Sequence, residues 1–454
     1  MNTNPNVVVL VADDHRASAL GCTGREPVRT PNLDRLAADG LRCTRAYTMG
    51  GLTPAVCVPS RASLLTGLST FDAVVGKTDN DYPGLQTLRT DKPLLPEHFR
   101  QHGYATYGIG KWHNDAASFN RCFAGGDRIF LGGMSDHDAV PVHRYDATAS
   151  YPAESAQVGR EHSTDLFADA AINFLGTRSG EEPFFLYTAF TAPHDPRTPP
   201  NGWEPAYGQT TATMELPPNT YPEHPFDIEV AEIRDELLEG TPRPPHRIRG
   251  HLADYYDMIT HLDLRVGDIL NVLEATGLAD NTLVLYLADH GLSIGQHGLM
   301  GKQNMYEHSL GIPCVLRGPA VASGTTVPGL VTHTDVFPTL CELADLPVPA
   351  GLSGHRLWQG RSGALNDPDA CLMAAYRHLH RCVIADEWKL VRYYRQRRRG
   401  IVPGYCQLFN LIEDPFETRN LAYFPEFERL VREMAEVLNE LQTRHADPLL
   451  ELLA

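Results

Sequence analysis

Residues 7–14 read VVVLVADD, a run of aliphatic residues that ends in two aspartates. An uninterrupted apolar run of this length is typical of a β-strand buried on both faces, as in parallel sheets covered by helices. Similar runs lie at residues 104–109, 184–191, 282–288 and 312–316. Segments with helical periodicity alternate with them, most clearly the apolar stripe from Leu252 to Leu273. The sequence therefore predicts an α/β fold, a doubly wound and mainly parallel sheet with helices on both faces.

The pattern changes along the chain in two places. Residues 198–245 are rich in proline and polar residues with little periodicity, which predicts a long surface excursion near the functional site. After residue 365, short strand-like segments precede a helical segment at 426–445. We therefore predict a catalytic α/β domain at 1–365 and a C-terminal subdomain at 366–454, with a short antiparallel sheet and a covering helix. A chain of 454 residues is long enough for both.

Composition and charge exclude several classes of partner. The formal net charge of −17 argues against nucleic acid and anionic membranes, and no apolar run reaches membrane-spanning length. An anionic substrate would need a local basic pocket. Nine cysteines without framework spacing indicate reduced thiols. The amino-terminal segment lacks a basic region and a cleavage site, so we expect a cytoplasmic protein, or a periplasmic or secreted one if an export signal has been removed. The size of the chain favours a homodimer.

Polar side chains follow four of the predicted strands. Ligands of open α/β sheets bind beyond the carboxyl ends of the strands. The residues in this position are Asp13 and Asp14, Lys111 and His113, His194, and Asp289 and His290. An Asp-Asp pair taken alone is more typical of a turn or a helix cap. Three carboxylates brought together repel one another unless a cation lies between them, so the set predicts a divalent metal site. Calcium suits carboxylate ligands best, with magnesium or manganese as alternatives.

Residues 57–67 read CVPSRASLLTG and predict a short apolar helix. Pro59 suits the first turn and Gly67 suits the end of the helix. Arg61 follows Cys57 by four residues and therefore lies on the same helix face. The exposed N–H groups of the first turn favour an anion. The alternative is a structural cysteine buried before a helix.

These eleven residues resemble, position for position, the activation signature of the type I sulfatases of the alkaline phosphatase superfamily. The resemblance covers nearly the whole chain. HGLMGKQNMYE, which contains Lys302, is similar to the downstream lysine segment of that family, and QLFNLIEDPFETRNLA resembles its closing subdomain. TAPHDPRTPP looks most like bacterial sulfatases that act on sulfated sugars.

The resemblance implies a formylglycine-dependent sulfatase. A maturation enzyme would oxidise Cys57 to formylglycine, whose hydrated aldehyde attacks sulfur with one hydroxyl and expels sulfate with the help of the other. Arg61 would contact the hydrate, His113 would assist the elimination, and His194 would protonate the departing alcohol.

The same resemblance implies the residues that bind the sulfate and the metal. Lys111 and Lys302 would hold sulfate oxygens. The metal ligands would be Asp13, Asp14, Cys57, Asp289 and His290. The family commonly has asparagine at the last of these positions, although histidine also occurs there.

Three functions remain in comparison. The leading one is hydrolysis of a sulfate ester on a small molecule or an oligosaccharide, with a carbohydrate sulfate as the expected substrate. A phosphonate monoester or phosphodiester hydrolase can share the activation motif and the metal site. An inactive relative that binds sulfated glycans would be expected to lack some of the site residues, all of which this chain contains.

Overall fold

The apolar run near the start of the chain forms strand β1 (Asn6–Ala12) inside the main sheet, and all of its residues are buried. The computed structural model describes residues 4–76, 87–178, 180, 182–208, 212–397 and 400–453. Within them, the further strands are β2 (Leu41–Tyr47), β3 (Gly50–Gly51), β4 (Val74–Val75), β5 (Thr87–Leu88), β6 (Ala105–Lys111), β7 (Gly125–Phe130), β8 (Pro141–Val142), β9 (Gln157–Val158), β10 (Phe184–Ala189), β11 (Thr282–Ala288), β12 (Cys314–Arg317), β13 (Thr325–Thr332), β14 (Leu372–Tyr376), β15 (His380–Ala385), β16 (Trp388–Arg397) and β17 (Gly400–Asn410).

The main sheet of the described residues has eight strands in the order β13-β2-β12-β11-β1-β10-β6-β7. Strands β11, β1, β10, β6 and β7 run parallel to one another. Strand β12 is antiparallel to both of its neighbours, and β2 pairs in parallel with β13. The predicted mainly parallel sheet is therefore confirmed, with β12 as the exception. The carboxyl ends of the parallel strands meet at one edge of the sheet. The polar residues that follow the predicted strands lie at this edge.

Helices cover both faces of this sheet, as predicted. They are α1 (Pro31–Ala38), α2 (Cys57–Thr66), α3 (Leu95–Gln101), α4 (Ala116–Cys122), α5 (Ser163–Gly176), α6 (Pro245–Ala275), α7 (Glu307–Leu310), α8 (Val336–Leu343), α9 (Glu428–Arg444) and α10 (Leu449–Leu453). Phe99 of α3 packs on Phe185 of β10, whereas Phe174 of α5 packs on Phe184, the preceding residue. Successive residues of a strand point to opposite faces, so α3 and α5 lie on opposite sides of the sheet.

A second sheet forms near the end of the chain, in the order β17-β16-β15-β14-β3. Strands β14 to β17 are antiparallel, and α9 packs on them through Met434, Leu438 and Leu441. The small antiparallel sheet with its helix is as predicted. Its last strand, β3, comes from residues 50–51 and pairs in parallel with β14, so an early segment of the chain completes the late sheet. The boundary at 365/366 remains a prediction.

The excursion at 198–245 contains neither a strand nor an α-helix over its described residues, before α6 begins at Pro245. It includes a short 3-10 turn at Arg234–Leu238, where Asp235 and Glu236 are buried. This turn faces the carboxyl edge of the main sheet. Across the described ranges, none of the helices combines the length and the apolarity that crossing a bilayer requires.

Gly50 joins the two sheets and tolerates no side chain. Its φ is +68°, and a Cβ atom there would lie 2.2 Å from the carbonyl oxygen of Ala375. Gly103 has a φ of +86°, but a Cβ atom there would meet nothing within 4 Å.

We expect Gly103→Ala to lower the free energy of unfolding by about 1–2 kcal/mol through backbone strain. Gly50→Ala adds a backbone clash, so the loss should be about 3 kcal/mol or more. Urea denaturation followed by circular dichroism measures both losses, and equal losses would contradict the proposed close approach.

Candidate active site

The carboxyl ends of four adjacent strands bring together the polar residues that the sequence singles out. Asp13 and Asp14 follow β1, Lys111 ends β6, His194 follows β10 and Asp289 follows β11. Cys57 begins α2 beside them. The site opens into a cavity of about 1250 Å³ whose lining includes Cys57, His113, His194 and Lys302.

A set of potential metal ligands converges at the base of this cavity. Oxygen atoms of Asp13, Asp14 and Asp289 and the sulfur of Cys57 all lie within 4.8 Å of one another, and the four residues are buried. The Oδ2 atom of Asp14 is buried and accepts no hydrogen bond from the described residues. Carboxylate oxygens gathered in this way, one of them without a donor, fit a hard divalent cation.

His290 is not a member of that set. Its Nδ1 lies 3.1 Å from the carbonyl oxygen of Gly291, and its buried Nε2 has no hydrogen-bond partner among the described residues. Burial, together with the charge of Lys302, lowers the pKa of His290 to about 3. The ring is therefore neutral, as a metal ligand must be. Its assignment as a ligand remains a prediction.

Each carboxylate of the set has a buried cation as a partner. Lys111 donates a hydrogen bond to Asp13, and Lys302 Nζ lies 2.5 Å from Asp14 Oδ1. Arg61 Nε donates to Asp289 Oδ2 over 2.8 Å. Three carboxylates and three cations thus form one buried charge network.

The two neighbouring aspartates differ in their electrostatic surroundings. Burial by itself would raise the pKa of Asp13, but Lys111, Arg61 and Lys302 together lower it below its ordinary value. Burial raises the pKa of Asp14 well above its ordinary value, because the charges of Asp13 and Asp289 add to the effect and Lys302 offsets only part of it. Of these two aspartates, Asp14 is therefore the one whose negative charge is less well compensated.

Cys57 lies inside this network and is only 3% exposed. Lys302 Nζ is 2.8 Å from its sulfur, which lies 3.7 Å from Asp13 Oδ1. Burial and the charge of Asp289 raise the pKa of the Cys57 thiol well above its ordinary value. A protonated thiol is a poor nucleophile, so the unmodified side chain is ill suited to covalent catalysis.

Helix α2 holds Arg61 rigidly beside Cys57. All ten residues of α2 are buried, and the helix ends at Gly67 with a φ of +65°, as the sequence predicts. Arg61 Nη1 donates to the carbonyl oxygen of Lys111 over 2.8 Å. Arg61 Nη2 lies 4.0 Å from Asp13 Oδ2 and makes no hydrogen bond to the described residues, so it can still donate to an oxygen in the site.

Two histidines line the cavity next to the network. His194 Nδ1 donates to the carbonyl oxygen of Asp195 over 2.7 Å, which leaves Nε2 directed to Asp14 Oδ2 at 3.7 Å. Burial, with the charges of Lys302 and Lys111, lowers the pKa of His194 well below its ordinary value. Burial and the same lysines also lower the pKa of His113, whose Nδ1 is buried without a hydrogen-bond partner in the described structure.

The structure adds polar residues that the sequence reasoning missed. Lys111 Nζ donates to the carbonyl oxygen of Gly133, a residue of the cavity lining, over 2.5 Å. Asp195 contacts His194 Nδ1 with its carboxylate at 3.3 Å, and Arg234 links it to Asp235. Asp195 directly follows His194 in the PHDP segment, which was a usable signal. Arg234 and Asp235 lie in the segment without periodicity, where no pattern marks them.

Comparisons with known proteins give a consistent result. A family model described as Sulfatase matches residues 5–346, and one described as N-sulphoglucosamine sulphohydrolase, C-terminal, matches residues 295–444. The N-acetylglucosamine-6-O-sulfatase of Bacteroides thetaiotaomicron is 26% identical, over 98% of this chain and 87% of that protein.

Solved structures share the fold. One, a protein in complex with its substrate D-glucosamine-2-N,6-O-disulfate, has a TM-score of 0.77 at 24% identity and covers 98% of each chain. The phosphonate monoester hydrolase of Agrobacterium radiobacter has a TM-score of 0.70 at 22% identity, over 97% of this chain and 96% of that one.

The cluster of carboxylates predicts that a divalent cation stabilises the fold. A cation at 100 times its dissociation constant should add about 2.7 kcal/mol to the free energy of unfolding, visible as a higher melting temperature. Titration with Ca²⁺, Mg²⁺ and Mn²⁺ under differential scanning fluorimetry measures the shift. Asp14→Asn should remove most of it, because the change takes away the carboxylate with an unpartnered oxygen.

Glu274→Gln is the matched control. Glu274 is 49% exposed, lies 3.9 Å from Arg35 and is not one of the four potential metal ligands. That variant should keep the full shift on cation addition. A shift that persists unchanged in Asp14→Asn would place the cation elsewhere.

Proposed function

The chain belongs to the sulfatase family and is a sulfuric ester hydrolase; on this premise, we propose that it cleaves a carbohydrate sulfate with a formylglycine formed from Cys57. The observation that carries the proposal is the position of Cys57. Its side chain lies at the base of a large cavity, between three carboxylates and a lysine that contacts its sulfur.

The surroundings of Cys57 suit a modified side chain better than a free thiol. Its raised pKa keeps it protonated, although the surrounding groups are those of a nucleophile's site. A hydrated aldehyde at this position would supply one hydroxyl to attack sulfur and displace the alcohol. Loss of the proton from its second hydroxyl would then re-form the aldehyde and release sulfate without attack by water. The neighbouring cations, Lys302 and Arg61, can orient such hydroxyls.

Asp13, Asp14 and Asp289 would hold the cation, for which we infer calcium because the donors are carboxylate oxygens. A bound cation supplies Lewis acidity and neutralises developing negative charge. The raised pKa of Asp14 supports the same inference, since added positive charge would favour its ionised form.

Lys111 and Lys302 supply the local positive charge that an anionic substrate needs in a protein of net charge −17. Both ammonium groups are buried and held by carboxylates, so they are oriented before the substrate arrives. Donors fixed in this way stabilise the charge that spreads over sulfate oxygens in the transition state. His113, which lines the same cavity as Cys57, could hold or move a proton at the hydroxyl groups of position 57.

His194 is the proposed general acid for the departing alcohol. Its Nδ1 is occupied by the carbonyl oxygen of Asp195, so Nε2 is the atom that can transfer a proton to the substrate. The low pKa of His194 reflects burial next to two lysines. An anionic sulfate ester placed between them would favour the protonated ring.

The carbohydrate assignment is supported by the relatives and by the size of the cavity. The relative from Bacteroides thetaiotaomicron is named an N-acetylglucosamine-6-O-sulfatase. A cavity of about 1250 Å³ is larger than a single sulfate group requires and can admit a saccharide.

We expect Cys57→Ala to lower kcat on 4-nitrophenyl sulfate at least about a thousandfold, because the nucleophile is lost. Cys22→Ala, at an exposed cysteine, is the matched control and should retain wild-type activity. After co-expression with a formylglycine-generating enzyme, the peptide that contains Cys57 should be about 18 Da lighter than the cysteine form by mass spectrometry.

An unmodified but fully active Cys57 would contradict the proposed nucleophile. A dominant rate on 4-nitrophenyl phosphonate esters would favour the phosphonate monoester hydrolase alternative, which the fold alone also permits.

The role of His194 predicts a dependence on the leaving group. His194→Ala should lower kcat on a sugar sulfate by about 100-fold or more, because a sugar alkoxide leaves poorly without a proton. Nitrophenolate leaves without protonation, so kcat on 4-nitrophenyl sulfate should fall far less. Steady-state kinetics on both esters measures the difference, and equal losses would exclude a general-acid role.

A further inference from the structure

Arg234 lines the active-site cavity and takes no part in the proposed cleavage of the sulfate ester. It belongs to the 3-10 turn Arg234–Leu238 and lines the same cavity as Cys57, His194 and Lys302. Its side chain is 44% exposed, whereas its partners Asp195 and Asp235 are 4% and 5% exposed. The guanidinium group is therefore anchored on the protein side and open on the cavity side.

Two buried carboxylates hold the guanidinium in one orientation. Nη1 lies 2.9 Å from Asp195 Oδ2, and Nη2 donates to Asp195 Oδ1 over 3.0 Å. Nε donates to Asp235 Oδ1 over 3.0 Å, and Nη2 contacts the same oxygen at 2.5 Å. A side chain held by two forked contacts loses little conformational freedom when it binds a ligand.

The remaining contact of Arg234 is one that a ligand can replace. Nη1 also donates to the thioether sulfur of Met134, whose side chain is 47% exposed and lines the cavity as well. A thioether is a weak acceptor, and methionine is a flexible side chain. An oxygen atom of a bound sugar is the better acceptor, so it would displace Met134 from this N–H group.

The charged groups around Arg234 indicate which kind of sugar oxygen would accept this hydrogen bond. Carboxylate oxygens of Asp195 and Asp235 already lie within hydrogen-bond distance of Arg234. The cavity lining contributed by residues 227–235 also includes Asp227, Glu229 and Glu232. Arg377 lines the cavity elsewhere, and Arg397 lies 3.6 Å from Glu229. Because two carboxylates already bind Arg234, a third anionic group is a poorer partner at this point than a hydroxyl group, which can accept from Arg234 and donate to a carboxylate.

We propose that Arg234 is a specificity-determining residue that binds an uncharged ring hydroxyl of the sugar whose sulfate is cleaved. This inference rests on the proposed carbohydrate sulfatase function and deepens it. The sulfate end of the substrate is held by Lys111 and Lys302, and the sugar end is held by the Asp195–Arg234–Asp235 group.

The test compares Arg234→Gln with the wild type on two esters. The sugar substrate is the best of a panel of monosulfated N-acetylhexosamines and hexoses, and the reference is 4-nitrophenyl sulfate, which has no ring hydroxyl. We expect KM for the sugar to rise about tenfold, with kcat changed by less than about threefold. 4-Nitrophenyl sulfate has no ring hydroxyl and a leaving group that needs no proton from His194, so its kcat/KM should fall by less than about threefold, which also shows that the variant is folded.

Arg247→Gln is the matched control. Arg247 lies in the same part of the chain, is 59% exposed, pairs with Glu239 at 3.0 Å and is not part of the cavity lining. It should behave as the wild type on both esters.

Monodeoxy analogues of the sugar sulfate identify the contacted group. The analogue that lacks the contacted hydroxyl should lose about tenfold in kcat/KM with the wild type and nothing further with Arg234→Gln. Equal losses on both esters, an unchanged KM for the sugar, or additive losses for every deoxy analogue would each overturn the inference. Hydrolysis of 4-nitrophenyl sulfate without hydrolysis of any sugar in the panel would instead overturn the carbohydrate assignment on which it rests.

Discussion

The buried network of Asp13, Asp14 and Asp289 with Arg61, Lys111 and Lys302 is the constraint on which the rest of the site depends. Its members come from strand ends, a helix and a loop that are far apart in sequence, so the charges can balance only when the whole sheet is assembled. Removing one partner from a buried ion pair leaves a charge without compensation, which costs several kcal/mol in other proteins. The same network orients the cations before any anion enters. Stability and the proposed anion binding therefore depend on the same contacts, so we expect changes in this network to lower the stability of the fold.

Much of the fold follows from periodicity because the parallel strands are buried on both faces. The predicted strand at 282–288 matches β11 residue for residue, and β1 extends the predicted run by only Asn6. Helix α6 begins at Pro245, before the predicted apolar stripe at Leu252, because proline suits the first turn of a helix and the buried Ile248 extends the apolar face by one turn. Strand β3 could not be predicted, since two glycines carry no strand propensity and their pairing with β14 is a tertiary contact.

The residues of the candidate site also fall into two groups, those that the sequence predicts and those that only the structure reveals. Residues at strand ends can be found from sequence because the edge of a parallel sheet gathers them, and Cys57 and Arg61 can be found because their motif is long and specific. Arg234 and Asp235 could not be found, because they reach the cavity through a segment whose path is set by tertiary contacts alone. The groups expected to act on the sulfur centre can thus be predicted from the sequence, whereas those expected to select the sugar can be identified only from the structure.

The pairing of Gly50–Gly51 with β14 has a consequence for the order of events during synthesis. The two glycines leave the ribosome shortly before Cys57, whereas their partners Ala375 and Tyr376 follow only after most of the chain has been made. Contacts between distant parts of a chain form late. The pairing of β3 with β14, next to Pro59 in the first turn of α2, is therefore expected near the end of translation. If Cys57 is oxidised as proposed, the enzyme that acts on it would reach the side chain most easily during that interval, before the second sheet is complete.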